Sequence, residues 1–361
     1  MKTILINCND CFALYKFRLD LLKELRKKYK LIIIAKWDEY LEKLQNEGFQ
    51  IINNHLTTTN NPFKELKLIY FYYKILKKYQ VDIIINYTIK MHLYGSLFSR
   101  KAKIINFVSG VGSVFLKRNL IYYYCLFCYR LIRKKVNYYV FLNTKDLKLF
   151  KDLKITNNNS ILIKGEGINL KKFYKEVNFD LPLSFIFIGR LVKEKGICEY
   201  LEAAKIIKAK YPNVRFYVAG NFYNKNTMIN QELIYALHKQ NIITYLGYVD
   251  NINDILKDVH VVILPSYREG IPISLVEGLA SKKFIITSDV PGCNDVCIDG
   301  YNGFLVNVKS VESLVEKIEE YINFQNKNLL HEYALNSSYE YAKEFYIEKM
   351  VDLLEKVSAG Y

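Results

Sequence analysis

The sequence predicts an α/β fold of two doubly wound parallel-sheet domains in tandem, and three observations support this. The chain has 361 residues, which is more than a single hydrophobic core usually serves. Short runs rich in β-branched residues alternate with longer amphipathic stretches, the pattern of parallel strands covered on both faces. This alternation breaks near residues 175–182 and then starts again, as expected where one domain ends and another begins.

The first half of the chain contains one complete set of alternating elements. Its Ile-, Val- and Tyr-rich runs predict strands at 3–7, 30–35, 82–86, 103–108 and 138–143. The amphipathic stretches between them predict helices at 17–28, 38–47, 63–79, 91–101 and 119–135. Residues 159–175 then read as a strand, a glycine-rich turn and a short basic helix.

The second half repeats the pattern. Strands are predicted at 184–189, 214–220, 243–247, 259–265, 284–288 and 303–306. Helices are predicted at 195–210, 229–240, 251–257, 272–281, 310–325 and 336–357. We therefore predict Rossmann-like domains at 1–178 and 179–340, facing a central cleft, with 341–361 as a helix that packs back on the first domain. Ligands of such sheets bind beyond the carboxyl ends of the strands.

Charge is distributed unevenly between the two halves. Residues 1–180 hold 33 Lys/Arg against 14 Asp/Glu, whereas the remainder holds 19 against 22. Within 61–140 the ratio is 15 to 2. The first domain is therefore expected to face an anionic partner.

Cysteine usage and hydropathy limit the class of protein. Two pairs of the seven cysteines have C-x2-C spacing, Cys8/Cys11 and Cys125/Cys128. Neither has a zinc-knuckle context, so reduced thiols in a cytoplasmic protein are the prediction. The N-terminus does not read as a signal peptide, and no run of about 18 apolar residues could span a bilayer.

The loop after the first strand of the second domain predicts a diphosphate site. The segment IGRLVKEKG, 188–196, places Arg190 and Lys195 five residues apart. A guanidinium offers a planar fork to phosphate oxygens, and an ammonium adds a point charge. A solvated basic turn would look the same in isolation, so this pair needs support from elsewhere in the chain.

That support comes from PSYREGIPISLVEGLA at 265–280, which places Glu269 and Glu277 around a Gly-Ile-Pro turn. The turn is expected to open a helix whose first amides hold an anion. Glu277, within this helix, would accept hydrogen bonds from two vicinal hydroxyls of a ribose. Glu269, before the turn, would lie nearer the reacting sugar.

Three segments in this half resemble the donor domain of family 4 glycosyltransferases, enzymes of the GT-B fold. They are FIGRLVKEKGICEYLEAA, YLGYVDNINDILKDVHVVILPSYREGIPISLVEGLA and TSDVPGCNDVCIDGYNGFLV. The two glutamates of 265–280 match that family's signature. In the first half, VDIIINYTIKMHLYGSLFSRKAKIINFVSGVGSVF resembles bacterial enzymes that build O-antigen, capsule or N-linked glycans on a polyprenyl carrier.

The resemblance implies a role for each matching residue. Arg190 and Lys195 would bind the donor diphosphate, and Glu269 would stabilise positive charge at the anomeric carbon. The remaining implied donor contacts are Gly189, Asn221, Tyr248, Val249, Gly270, Ile271, Pro272, Ile273, Ser274 and Glu277. Contacts to acceptor or sugar are expected from Asp10, Arg18, Lys90, His92, Ser109 and Gly110, the last two in a loop that runs to Gly112.

The resemblance also implies a reaction. A hexose or N-acetylhexosamine would move from a UDP-sugar to a polyprenyl-diphosphate-linked saccharide in lipopolysaccharide or capsule synthesis, with retention of configuration. The clamp on the departing diphosphate would replace a metal ion, so neither metal nor cofactor is expected. Front-face attack is preferred to a covalent route through a carboxylate.

Two basic, aromatic stretches, 63–79 and 117–135, suit the surface of an anionic membrane. A peripheral position at the inner face of the cytoplasmic membrane is therefore expected. The alternative for each stretch is a helix that covers its own sheet and has a basic outer face. Two other functions stay open: a sugar-nucleotide epimerase of the same architecture, and a basic nucleic-acid-binding protein, although no known nucleic-acid module is visible.

Overall fold

A computed structural model describes residues 1–54, 62–99, 101–111, 113–115, 118–156, 158–173, 175–222 and 229–359, with the side chains of 62–64 and 113 excepted. Gly112 and Lys117, which fall in two of the predicted functional segments, lie outside the described residues. The chain divides into two compact units. Unit 1 comprises Met1–Gly167 with Glu344–Tyr361, and unit 2 comprises Ile168–Lys343.

The described part of unit 1 contains a seven-stranded parallel sheet in the order β3-β2-β1-β4-β5-β6-β7. Because Ile, Val and Tyr predominate in its central strands, they are buried on both faces. The strands are β1 Thr3–Asp10, β2 Lys30–Lys36, β3 Ile51–Asn53, β4 Ile83–Tyr87, β5 Lys103–Val108, β6 Tyr138–Phe141 and β7 Ser160–Leu162. The helices are α1 Cys11–Ala13, α2 Leu19–Leu25, α3 Leu41–Asn46, α4 Pro62–Lys78, α5 Ile89–Leu97, α6 Leu120–Ile132 and α7 Thr144–Asp152.

A row of buried asparagines crosses the middle of this sheet. Asn7, Asn86 and Asn106 are paired in register on β1, β4 and β5. Asn7 Nδ2 donates to Asn86 Oδ1 at 2.6 Å, and Asn86 Nδ2 donates to Asn106 Oδ1 at 2.9 Å. A slip in register would break these hydrogen bonds between buried amides, so the row favours the observed register.

Unit 2 is built in the same way. Its described residues form a six-stranded parallel sheet in the order β10-β9-β8-β11-β12-β13. The strands are β8 Ser184–Ile188, β9 Arg215–Ala219, β10 Thr244–Gly247, β11 Val261–Leu264, β12 Phe284–Ser288 and β13 Gly303–Val306. The helices are α8 Ile197–Lys210, α9 Gln231–Lys239, α10 Asn253–Leu256, α11 Ile273–Ala280, α12 Val311–Asn323 and α13 Lys327–Ser338.

The last helix, α14 Lys343–Ala359, returns to unit 1. Lys28 Nζ lies 2.7 Å from Glu355 Oε1, and the rings of Tyr346 and Phe107 meet edge to face. The prediction of a single helix at 336–357 is wrong in detail, because α13 ends at Ser338 and a turn at Tyr339–Tyr341 separates it from α14.

The predicted fold class, two Rossmann-like parallel-sheet domains, is confirmed by the two sheets. The division at Gly167 comes earlier in the chain than the predicted boundary at residue 178. The strand β3 and the helix α7 were not predicted, because β3 is three residues long and α7 is largely polar.

Candidate active site

The candidate active site lies where the strand order of unit 2 reverses. The chain passes from β8 to its neighbour β9 on one side, and returns to place β11 on the other side of β8. Loops that follow the two strands at such a switch point diverge and leave a crevice for a ligand. Here those loops are 189–196, after β8, and 265–272, after β11.

The two loops touch through backbone, and a glycine permits the contact. Gly196 has φ +73°, and a Cβ built on it would lie 1.9 Å from the carbonyl oxygen of Pro265. In addition, the amide of Tyr267 donates to the carbonyl of Glu194 at 2.9 Å. Lys195, between Glu194 and Gly196, is thereby held against the second loop.

Lys195 and Glu269 form the centre of the site. Lys195 Nζ donates to Glu269 Oε1 at 2.5 Å, and Ser266 Oγ donates to the same oxygen at 2.7 Å. The Lys195 side chain is 21% exposed and that of Glu269 is 11% exposed. The Lys195 ammonium is therefore paired with Glu269, while part of the lysine side chain remains exposed to solvent.

The backbone of Glu269 is fixed from behind by a third loop, which follows β12. Its amide donates to the carbonyl of Pro291 at 3.1 Å. At Gly292, φ is +83°, and a Cβ there would lie 2.5 Å from the carbonyl oxygens of both Glu269 and Gly270. Buried Cys293 lies near Glu269, and burial raises the pKa of its thiol to about 12, so this thiol stays protonated.

The helix α11 presents one narrow face to solvent. It begins at Ile273 after Pro272, whereas the sequence placed Pro272 inside the first turn. Within α11 only Ile273, Ser274 and Glu277 are partly exposed, and every other residue is buried. These three positions share one side of a helix, so the Glu277 carboxylate lies on the side of α11 that a ligand can reach.

The loops on the other side of β8 complete the carboxyl edge of the sheet. The amide of Gly189 donates to Ala219 at the end of β9, and that of Leu191 donates to Asn221 at 3.0 Å. Gly220 in turn donates to Gly247 at 2.7 Å. Asn221 and Tyr248 are exposed and Val249 is half-buried, so these predicted donor contacts follow adjacent strands.

Arg190 is exposed and follows Gly189 directly, in the same loop as Lys195. The partly buried Gly270 and the buried Ile271 lie between Glu269 and α11. The geometry therefore brings Lys195 and Glu269 into contact. The other predicted donor residues of unit 2 lie on the loops that follow its strands or, for Ile273, Ser274 and Glu277, in α11. Their roles stay predictions.

A hydrogen bond between α8 and the loop after β11 was not predicted. The Tyr267 hydroxyl donates to Glu199 Oε1 at 2.7 Å, and Lys309 Nζ lies 4.9 Å from the centre of the Tyr267 ring. Glu199 is in the first turn of α8 and is 8% exposed. Ser266 was missed too, although it lies within the 265–280 motif.

In unit 1, several predicted residues lie at the carboxyl edge of the sheet. Asp10 ends β1 and caps α1, accepting from the Ala13 amide at 2.9 Å. Ser109 and Gly110 directly follow β5 and are half-buried. Lys90, in the first turn of α5, is paired with Glu65 of α4 at 2.6 Å.

Two residues predicted to contact acceptor or sugar, Arg18 and His92, have buried side chains. Arg18 is 5% exposed, its Nη2 lies 2.5 Å from Glu166 Oε1, and its guanidinium stacks 3.9 Å above the Tyr87 ring. His92 is 1% exposed, with one ring nitrogen bonded to the Tyr129 hydroxyl and the other to the Phe107 carbonyl. Burial lowers the pKa of His92 to about 4.

Two further facts bear on the chemistry. Within the described ranges, no group of three or more His, Cys, Asp or Glu side chains is placed to hold a metal ion. No helix in that part of the chain is both long enough and apolar enough to cross a membrane.

Two family models match the chain. The model described as "Glycosyl transferases group 1" matches residues 171–337, and the model described as "Glycosyl transferase 4-like" matches residues 8–139. The first match contains the whole Lys195–Glu269 site, and the second runs from the end of β1 to the start of β6 in unit 1.

Two curated relatives align along most of their length. The N,N'-diacetylbacillosaminyl-diphospho-undecaprenol alpha-1,3-N-acetylgalactosaminyltransferase of Campylobacter jejuni is 28% identical over 96% of each chain. The UDP-Gal:alpha-D-GlcNAc-diphosphoundecaprenol alpha-1,3-galactosyltransferase of Escherichia coli is 25% identical over 80% of this chain and 81% of its own.

Solved structures share the fold at low identity. The sucrose-phosphate synthase of Thermosynechococcus elongatus superposes with a TM-score of 0.81 at 15% identity and covers 100% of both chains. Anabaena HepE in complex with UDP and glucose gives a TM-score of 0.80 at 16% identity, covering 99% of this chain and 100% of its own. At this identity the likeness concerns the fold, which is of the GT-B class.

Proposed function

The chain belongs to the glycosyltransferases whose group 1 and 4-like family models it matches, and from this premise we propose that it transfers a hexose or N-acetylhexosamine from a UDP-sugar to a polyprenyl-diphosphate-linked saccharide. The observation that carries the proposal is the Lys195–Glu269 contact at the switch point of unit 2. It puts a cation and a carboxylate within one ligand's reach.

The donor site follows from the chemistry of a UDP-sugar. Lys195 binds the diphosphate, and Arg190, from the same loop, adds a planar donor. The backbone N–H groups between Gly270 and Ser274 contribute further donors to the anion or to sugar hydroxyls, except at Pro272, which has no N–H. Glu277, on the exposed side of α11, accepts the two ribose hydroxyls.

Glu269 acts on the sugar. Its carboxylate stabilises the positive charge that develops at the anomeric carbon, while Lys195 and Arg190 stabilise the negative charge that develops on the diphosphate. The bond between the anomeric carbon and the diphosphate oxygen breaks, and the acceptor oxygen attacks from the same face. Its proton passes to the departing diphosphate oxygen, so no separate base is required.

Retention of configuration has support from the relatives. The names of both relatives specify an alpha linkage in the product. The common UDP-hexoses are themselves α-linked, so an α product means that the configuration is kept. We propose the same outcome for this enzyme, and an NMR spectrum of the first product formed, read at its anomeric proton, tests it directly.

The acceptor is assigned by relationship. Both relatives are named for an undecaprenol-diphosphate-linked sugar substrate, and they align with most of this chain. We assign acceptor binding to unit 1, with Asp10, Lys90, Ser109 and Gly110 as its candidate contacts. A carrier of this kind stays in the membrane, so the enzyme would act as a peripheral protein at the cytoplasmic face.

We further propose that transfer needs no metal ion, because Lys195, Arg190 and the start of α11 supply the positive charge that Mg²⁺ would supply elsewhere. Transfer rates should be the same in EDTA and in Mg²⁺. A rate that falls in EDTA and returns with Mg²⁺ would contradict this part of the proposal.

A thermal-shift screen of nucleotide sugars tests the donor site, because a ligand that binds the folded state raises its melting temperature by mass action. We expect UDP-sugars to stabilise the wild type, and Lys195→Ala and Glu277→Ala to lose most of this stabilisation. Lys193→Ala is the matched control, since Lys193 is exposed on the same turn. If Lys195→Ala and Glu277→Ala both respond as the wild type does, the donor site is misplaced.

The screen is followed by a transfer assay with and without a lipid-linked acceptor. A transferase makes a glycosylated lipid product only when the acceptor is present. Conversion of the nucleotide sugar to a different nucleotide sugar without acceptor would instead indicate an epimerase.

A further inference from the structure

The helix α6 of unit 1 exposes an apolar face that none of the described residues covers. Leu120 is 88% exposed, Phe127 is 60% exposed and Leu131 is 57% exposed. Ile121, Tyr123 and Tyr124 are exposed beside them. Spacings of three, four and seven residues place most of these side chains along one side of the helix.

The opposite side of α6 already forms part of the core. Tyr122, Cys125, Tyr129 and Ile132 are buried there. A helix that only covered its own sheet would need one apolar face and a polar outer face. Because α6 is apolar on both of its faces, its outer face is an exposed apolar surface of the kind that marks a binding site.

The neighbouring helix α4 extends this surface. Leu66, Tyr70 and Tyr73 are exposed on it, while Leu68, Tyr72 and Ile75 pack into the core. The buried α5 lies between the two helices and joins them, since Tyr94 is hydrogen-bonded to Glu65 of α4 and to Tyr124 of α6. We call the exposed apolar side chains of both helices the docking face: Leu66, Tyr70, Tyr73, Leu120, Ile121, Tyr123, Tyr124, Phe127 and Leu131.

The charge around the docking face has one sign. From residue 83 to residue 145 the sequence contains no Asp or Glu. The basic side chains that border the face are exposed: Lys67, Lys74, Lys77, Lys78, Arg118, Arg130, Arg133, Lys134 and Lys135. The acidic Glu65 is partly buried and paired with Lys90.

We propose that the docking face inserts into the interface of a bilayer that contains anionic phospholipids. Leucine and phenylalanine side chains would enter the acyl boundary, tyrosines would lie at headgroup level, and the lysines and arginines would meet the phosphates. A second copy of the chain fits this face poorly, because its own basic border would repel it. Nucleic acid fits the charge but not the exposed leucines.

This inference rests on the proposed function only for its biological setting, because it names the surface by which the enzyme reaches a lipid-linked acceptor. Binding to vesicles needs neither donor nor acceptor. The two proposals can therefore fail separately.

Sedimentation with vesicles of phosphatidylethanolamine and phosphatidylglycerol, compared with phosphatidylcholine vesicles, tests the inference. We expect the wild type to bind the anionic vesicles at least tenfold more tightly, and to weaken as salt rises. The triple variant Leu120→Ser/Phe127→Ser/Leu131→Ser should bind at least tenfold more weakly. Arg130→Gln/Arg133→Gln/Lys134→Gln should lose the preference for anionic vesicles.

Two controls separate the docking face from general effects. Ile206→Ser/Ile298→Ser removes two exposed apolar side chains of unit 2 and should bind vesicles as the wild type does. Every variant should keep the wild-type rate on a water-soluble acceptor analogue without vesicles, and the triple Ser variant should be slow only on acceptor embedded in vesicles.

Three results would overturn the inference. The first is unchanged vesicle binding by the triple Ser variant. The second is equal binding of the wild type to neutral and anionic vesicles. The third is a wild type that does not bind vesicles but binds DNA or forms a dimer through the docking face. Loss of the DNA binding or of the dimer in the triple Ser variant would show that the docking face is responsible.

Discussion

Substituting alanine for Gly196 would separate the two loops that bring Lys195 to Glu269. A Cβ at this position would lie 1.9 Å from the Pro265 carbonyl oxygen, whereas ordinary contacts begin at 3.4 Å. The loops would therefore have to move apart by about 1.5 Å, the shortfall between those two distances. Displacements of about 1 Å at a catalytic group can lower rates about a hundredfold.

Gly300 provides a matched control. It has the same φ, +73°, but a Cβ there would meet nothing within 4 Å. Both alanine variants should therefore share the strain of a left-handed backbone, about 1–2 kcal/mol. Only Gly196→Ala adds the collision with Pro265, which we expect to destabilise unit 2 by about 2 kcal/mol more, as overpacking does.

The assay combines urea unfolding with the thermal shift produced by a UDP-sugar. Gly300→Ala should bind UDP-sugar and transfer sugar as the wild type does, at slightly lower stability. Gly196→Ala should be clearly less stable, should lose most of the ligand-induced shift and should transfer at least tenfold more slowly. If the two variants behave alike, close contact between the loops does not hold the site together, and the reasoning is refuted.

Three more predictions follow from single contacts. Tyr267→Phe should destabilise unit 2 by about 1–3 kcal/mol, because the buried carboxylate of Glu199 loses its hydrogen-bond donor. In urea unfolding, adding Glu199→Leu should restore part of the lost stability, and strictly additive effects of the two substitutions would contradict the pairing. Burial lowers the pKa values of His260 and His331 to about 4 and about 3, so both stay neutral in the folded protein but take up protons below about pH 6.5 in the unfolded chain. The free energy of unfolding should therefore keep its full value above about pH 6.5 and fall towards pH 4 by up to about 1.4 kcal/mol per pH unit for each histidine. A free energy of unfolding that does not change between about pH 6.5 and 4.5 would contradict their burial. UDP should stabilise the wild type more than 2′-deoxy-UDP does, and that difference should disappear in Glu277→Ala if its carboxylate binds the ribose; a difference that survives would place the ribose elsewhere.

Much of the fold could be predicted because its signal is local. Runs of Ile and Val such as 83–85 are buried on both faces of a parallel sheet, and such runs are visible in the sequence without further context. The helix α7 was not predicted because its residues are mostly polar. Asn143 is a typical N-cap residue, and in the structure its side chain accepts from the Asp146 amide. The break between α13 and α14 has neither Gly nor Pro at 339–342 to mark it.

The positions of the candidate residues were predictable where a motif placed them on a loop after a strand. Arg190 and Lys195 lie on one loop, the 265–280 segment begins with the other, and the strand order brings these two loops together. The contacts themselves were not predictable, because Tyr267 and Glu199 are 68 residues apart in the chain and meet only through packing. The burial of Arg18 and His92 was not predictable for a related reason: a polar residue near a predicted loop gives no local sign that its side chain is buried.

The measurement that tests the account most directly is a crystal structure of the enzyme with UDP. We expect the diphosphate within hydrogen-bonding distance of Lys195 Nζ and the Arg190 guanidinium, beside the first residues of α11, with the ribose against Glu277. UDP bound elsewhere, or bound in unit 2 with its phosphates turned away from both cations, would contradict the account.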